Sequence, residues 1–91
     1  MSTVQHFEAC DDFIYVHTAG RRYRLNVSLN AIAEKLDPRL FVRVHRSYVV
    51  NLDGVTGWTA YDAARFELTL RDGTTLIASR EGSRLLRSLV R

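Results

Sequence analysis

The stretch Phe41-Val42-Arg43-Val44-His45-Arg46-Ser47-Tyr48-Val49-Val50-Asn51-Leu52-Asp53-Gly54-Val55 decides how this chain folds. Phe41, Val42 and Val44 lead in, and Tyr48, Val49, Val50 and Leu52 lead out. That density of β-branched and aromatic side chains suits a pleated, half-buried surface, so the stretch reads as strand. Arg43, His45, Arg46 and Ser47 interrupt the apolar pattern with more donors than a core can use. Asn51, Asp53 and Gly54 then supply a turn. A rigid strand that carries cationic and hydroxyl donors in its middle is suited to an anionic ligand.

Working outward, the upstream segments are short and alternate. Val4–Cys10 reads as a strand with Val4 and Phe7 as core candidates, and Asp11-Asp12 as the turn after it. Phe13–Thr18 has a strand pattern, and Ala19-Gly20 turns the chain back. In Arg22–Val27, Tyr23, Leu25 and Val27 alternate with Arg22, Arg24 and Asn26, which predicts one dry face and one wet face. Ser28 is a good helix N-cap, and Leu29, Ile32, Ala33 and Leu36 follow at helical spacing before Asp37-Pro38 stops the helix.

Downstream, Val55–Trp58 starts another strand and residues 61–64 form a loop. Phe66, Leu68 and Leu70 then alternate with polar residues up to the hairpin signal Asp72-Gly73. Thr75–Ala78 is the return strand. Ser79 can cap a closing helix with Leu85, Leu86, Leu89 and Val90 on its buried side and Arg80, Arg84, Arg87 and Arg91 along one face. The expected fold is a single mostly-β domain over residues 1–91, made of short antiparallel strands with two helices.

Composition narrows the function. Of 13 basic residues, 12 are arginine, whose planar fork meets phosphate and guanine edges bidentately. Residues 1–20 contain Glu8, Asp11 and Asp12 and no lysine or arginine, so the positive charge lies in the remainder. A basic body of this kind fits a polyanion partner. No apolar run reaches the ~20 residues that a membrane helix needs, and the first residues lack a signal-peptide pattern. A lone cysteine, Cys10, rules out an intrachain disulfide and fits a cytoplasmic setting. The glycines form no phosphate loop, no serine sits in a nucleophile elbow, and His6, His17 and His45 lack metal-ligand spacing. Neither enzyme chemistry nor a cofactor is expected.

The string Phe41-x-Arg43-Val44-His45-Arg46-Ser47-Tyr48-x-Val50-Asn51 resembles the signature of the LytTR DNA-binding domain, the output domain of many bacterial response regulators. The resemblance extends upstream through Phe7-Glu8-Ala9, Phe13-Ile14-Tyr15-Val16 and Ser28-Leu29, and downstream through Ile77-Ala78-Ser79-Arg80. It implies an elongated multi-sheet arrangement and sequence-specific binding to double-stranded DNA in transcriptional control, with two copies on direct repeats. His45, Arg46 and Ser47 become DNA-facing candidates, with Arg46 on a base edge or phosphate and its neighbours on phosphate oxygens. The resemblance also implicates Ser79, Arg80, Glu81 and Arg84 after the last strand, where a helix N-terminus would add an anion site. The turn at Asp12 and Phe13 is the third implied contact. Its carboxylates either point away from phosphate or contribute selectivity rather than affinity.

Other readings stand beside these. Asn51 has a structural role open to it, bonding backbone groups to shape the following turn. Trp58, Tyr48 and Tyr61 suit the core or its rim. Arg65 is expected in a loop distant from the candidate site. LytTR domains usually have more chain before the position of Phe7, so the N-terminal strand is expected to be a truncated edge or one completed by a partner, a route to a homodimer. The alternative function is a protein-interaction module using an exposed sheet edge; another is a small RNA-binding β domain, for which the aromatics alternate the wrong way.

Overall fold

The computed structural model describes residues 4–89. Eight strands and two helices follow one another as β1 Val4–Cys10, β2 Phe13–Thr18, β3 Arg21–Leu25, α1 Leu29–Ala33, β4 Phe41–His45, β5 Tyr48–Asn51, β6 Val55–Ala60, β7 Phe66–Leu70, β8 Thr75–Ile77 and α2 Arg80–Leu89. They form a five-stranded sheet ordered β3-β2-β1-β5-β4 and a three-stranded sheet ordered β6-β7-β8. Every pairing is antiparallel. The molecule is 35 Å long and 24 by 22 Å across.

The stretch from Phe41 to Asn51 is a hairpin rather than one strand. Arg46 and Ser47 form its turn, and neither is the glycine or asparagine that usually marks a two-residue turn in sequence. A shift in register between Arg43 and His45 accommodates it. Beyond the hairpin, the Asn51 side chain accepts from the Asp53 amide (3.0 Å) and donates to the Val4 carbonyl (2.8 Å). It therefore shapes the single 3-10 turn Leu52–Gly54 and ties it to β1.

The β4–β5 hairpin has an apolar core on each face. On one face Phe7, Ile14, Val16 and Val49 pack with Leu29 of α1. On the other, Val42, Val44 and Val50 meet Leu68, Leu70, Leu76 and Ala78 of the smaller sheet and Leu86 of α2. The alternation that pointed to Val44, Val50, Leu68 and Leu70 as core residues is thus realised, while Phe41 is half-buried.

Four further expectations are corrected. β1 is not an edge, because it pairs with β2 on one side and β5 on the other. The exposed edge is β3, all of whose residues are exposed, so the dry face expected at Tyr23, Leu25 and Val27 has no cover. α1 is short, and turns carry the chain on to Leu36. Finally, α2 buries Gly82, Ser83 and Leu86, whereas Leu85 and Leu89 are exposed. Gly82 lets the helix approach Val44 of β4 closely and Ser83 meets the start of β7, and together they set its rotation. Val90 and Arg91 lie outside the described residues.

Candidate nucleic-acid interface

Three chain segments meet at one end of the large sheet. β1 and β4 both run toward this end, and β2 and β5 start from it. It therefore carries the Asp11-Asp12 turn and the Arg46-Ser47 turn, joined where the Ala9 amide donates to the Ser47 carbonyl (2.8 Å). The start of α2 is fixed beside them, since the Ser79 amide donates to the Val44 carbonyl (2.8 Å).

Between the second turn and α2 lies an open groove of about 690 Å³, lined chiefly by Arg43, His45, Arg46, Arg80, Glu81 and Leu85. The side chains that point into it differ in what they are free to do. Arg46 and Arg80 are exposed, and neither guanidinium bonds any described residue. Arg43 is already engaged, donating to the Asn30 side chain and to the Arg46 carbonyl (2.6 Å). Glu81 is the one carboxylate of this lining.

His45 has a definite tautomer. Its Nδ1 accepts from the Ser47 amide (3.1 Å), so in the neutral ring the proton resides on Nε2, leaving a donor for an outside acceptor. Its ring also packs against Tyr48, with centroids 5.4 Å apart. Ser47 contributes its backbone to both sides of the turn.

Ser79 is occupied as the α2 cap. Its Oγ accepts from the Gly82 amide (3.0 Å) and donates to the Val44 carbonyl (3.3 Å), and its carbonyl accepts from the Ser83 amide (2.8 Å). The amides of Arg80 and Glu81 are left as the donors at the positive end of the helix dipole. Ser83 Oγ accepts from the Phe66 amide (3.0 Å), securing α2 to β7 as well. Arg84 is exposed one turn beyond Arg80, outside the groove lining.

The Asp12-Phe13 turn is built differently. Asp12 is exposed, and Asp11 takes a positive φ of 55° to complete the turn. The Phe13 ring is half-buried beneath the Arg24 guanidinium, 4.0 Å from its centroid, and edge-on to Tyr15. This ring clamps the end of the hairpin, leaving Asp12 as the reachable group.

One residue was missed and one misjudged. Leu85 lines the groove although its spacing assigned it to a buried helix face, and Arg43, one of the four donors of the central stretch, lines it too. Arg65 is not distal: with His45, Ser79 and Arg80 it lines a second hollow. The cause is β7–β8 pairing, where the Ala78 amide donates to the Phe66 carbonyl (2.9 Å) and carries the start of β7 to the end of β8. Arg65 is paired with Asp62 at 2.7 Å and lies over the Tyr61 ring.

A family model for the LytTr DNA-binding domain matches residues 1–91. The sensory transduction protein LytT of Bacillus subtilis is 30% identical over 80 residues, which are 88% of this chain and 33% of LytT. The transcriptional regulatory protein LytR of Staphylococcus aureus is 39% identical over 36 residues, 40% of this chain and 15% of LytR. The chain thus spans about a third or less of these relatives. A solved LytTr DNA-binding domain from Bacillus cereus superposes with a TM-score of 0.90 at 25% identity, covering 97% of this chain and 81% of that one.

Proposed function

The chain belongs to the LytTr DNA-binding domain family, and from that premise we propose that it reads a specific sequence in double-stranded DNA for a cytoplasmic, response-regulator-like system. The observation that carries the proposal is the pair of unengaged guanidiniums, Arg46 and Arg80, facing one groove at the end of the sheet. Arg46 takes a base edge, His45 donates from Nε2 to phosphate, and Ser47 holds the turn. Ser79 caps the helix whose first amides, with Arg80, receive a phosphate; Arg84 continues that contact along the backbone. Glu81 accepts from a cytosine amino group, and Asp12 beside Phe13 selects against misplaced backbone. No reaction is assigned. No described helix is long and apolar enough to cross a membrane, and membrane attachment forms no part of the proposal.

Arg46→Ala should cost about 1–3 kcal/mol on a duplex selected from a random pool and relax preference at one base pair. Arg84→Ala should weaken selected and scrambled duplexes alike and lower the salt slope by about one, as losing a phosphate contact does. Arg39→Ala is the control, because Arg39 pairs with Asp37 ahead of β4 and so lies at the opposite end of the sheet. Affinities across a salt series provide the readout. If Arg46→Ala and Arg39→Ala behave alike on both duplexes, the interface is wrongly located. If the parent prefers no duplex, the DNA-reader assignment fails; if its binding is also insensitive to salt, the alternative protein-interaction reading gains, since binding at a sheet edge releases few counterions.

Two copies on direct repeats follow from the same reading. The edge strand open to a homodimer is β3, where Tyr23 is 49% and Leu25 40% exposed among Arg21, Arg22 and Arg24. Sedimentation of free protein and of protein on one- and two-repeat duplexes tests this. Free protein that stays monomeric at high concentration would remove β3 pairing from the account, and a second copy that binds no better beside the first than alone would remove paired binding to the repeats.

A further inference from the structure

The His6, Glu8 and His17 cluster lies outside the groove. His6 and His17 are directly opposite each other in the β1–β2 register, and Glu8 is two residues along from His6 on the same face. One nitrogen from each imidazole and one carboxylate oxygen all lie within 4.8 Å of one another. The two rings are stacked, with centroids 4.1 Å apart and planes 4° apart. His17 Nε2 and Glu8 Oε1 are 2.8 Å apart.

His6 is the telling member. It is only 3% exposed, and its Nδ1 is buried without a hydrogen-bond partner. An orphaned buried nitrogen carries a desolvation cost that a ligand would relieve. In its neutral form the ring has a lone pair to offer.

We propose that His6, Glu8 and His17 form a binding site for a zinc-class divalent cation that staples β1 to β2. Two imidazoles and a carboxylate are a donor set suited to zinc, and the remaining position falls to water. Magnesium and calcium, which take oxygen ligands, are disfavoured. Glu8 supplies compensating negative charge. His17 and Glu8 are 23% and 35% exposed at their side chains, which gives the ion a way in. Because the stacked rings hold their lone pairs in parallel planes, the partly exposed His17 ring turns to bring its nitrogen onto the ion, giving up its hydrogen bond to Glu8.

The test is calorimetric titration of the full chain with zinc chloride, together with the visible absorption of cobalt(II) added in its place. One zinc per chain should bind, with a raised melting temperature that a chelator reverses. The cobalt complex should show the absorption of a low-symmetry nitrogen and oxygen site. Glu8→Gln and His17→Gln, both at partly exposed positions, should each weaken zinc at least about a hundredfold, the upper end of what losing an outer-shell partner costs. Their melting in chelator reports whether the fold is retained. Cys10→Ser should bind as the parent does. Absence of zinc uptake by the parent, unchanged affinity in both ligand variants, or loss of binding in Cys10→Ser would each overturn the site.

Discussion

Gly82→Ala is expected to destabilise the protein by about 1–3 kcal/mol, the range for overpacking a core, and to loosen α2 from the sheet. Helix propensity taken alone predicts the reverse, a gain of roughly 1 kcal/mol, because glycine is a poor residue inside a helix. Position decides between them. Gly82 is buried, and a Cβ there would lie 2.7 Å from Val44 Cα and closer still to its carbonyl. Those are backbone atoms of β4, and the same carbonyl accepts from Ser79. They cannot swing aside as a flexible side chain would. Relief requires α2 to retreat, which would expose Leu86, now 1% exposed, and shift Arg80 relative to Arg46. Urea unfolding measures the first effect and affinity for the selected duplex the second. A variant as stable as the parent, or more so, would show that the close approach of α2 is not required.

Leu68→Ala should cost more, about 2–5 kcal/mol. Leu68 is fully buried at the centre of β7, whose neighbours β6 and β8 hold it from both sides. Its side chain faces the apolar cluster containing Val44, Val50, Leu76 and Leu86, so truncation leaves a void that paired backbone on either side cannot collapse to fill. For a domain of this size the melting temperature should drop by at least about 8 °C. Loss of less than about 0.5 kcal/mol, the scale of a surface change, would mean that this core is not close-packed.

Both predictions bear on what could be read from the sequence. Leu68 was legible, because alternation along Phe66–Leu70 and the Asp72-Gly73 turn are local signals. Gly82 was not: its importance comes from a strand nearly 40 residues earlier in the chain, and the larger leucines suggested another face of α2. That Arg46 and Arg80 would be exposed was legible, because cations amid an apolar stretch, or just after a helix cap, have little use inside a core; that Arg46 sits in a turn was not. Arg65 was misplaced since only the β7–β8 register brings it beside Ser79. The same limitation concealed the histidine cluster. His6 and His17 are far apart as a ligand motif, and only antiparallel pairing makes them neighbours.

The direction of β1 has a practical consequence for attachment. β1 starts at Val4, at the opposite end of the sheet from the Asp11-Asp12 turn. Seven residues of strand separate the two by roughly 20 Å. A fluorophore, affinity tag or surface tether joined ahead of Val4 would therefore stand clear of the groove, and a duplex could approach without passing it. Immobilisation by that end should leave measured affinity unchanged, whereas coupling through Cys10, next to the turn, should obstruct it.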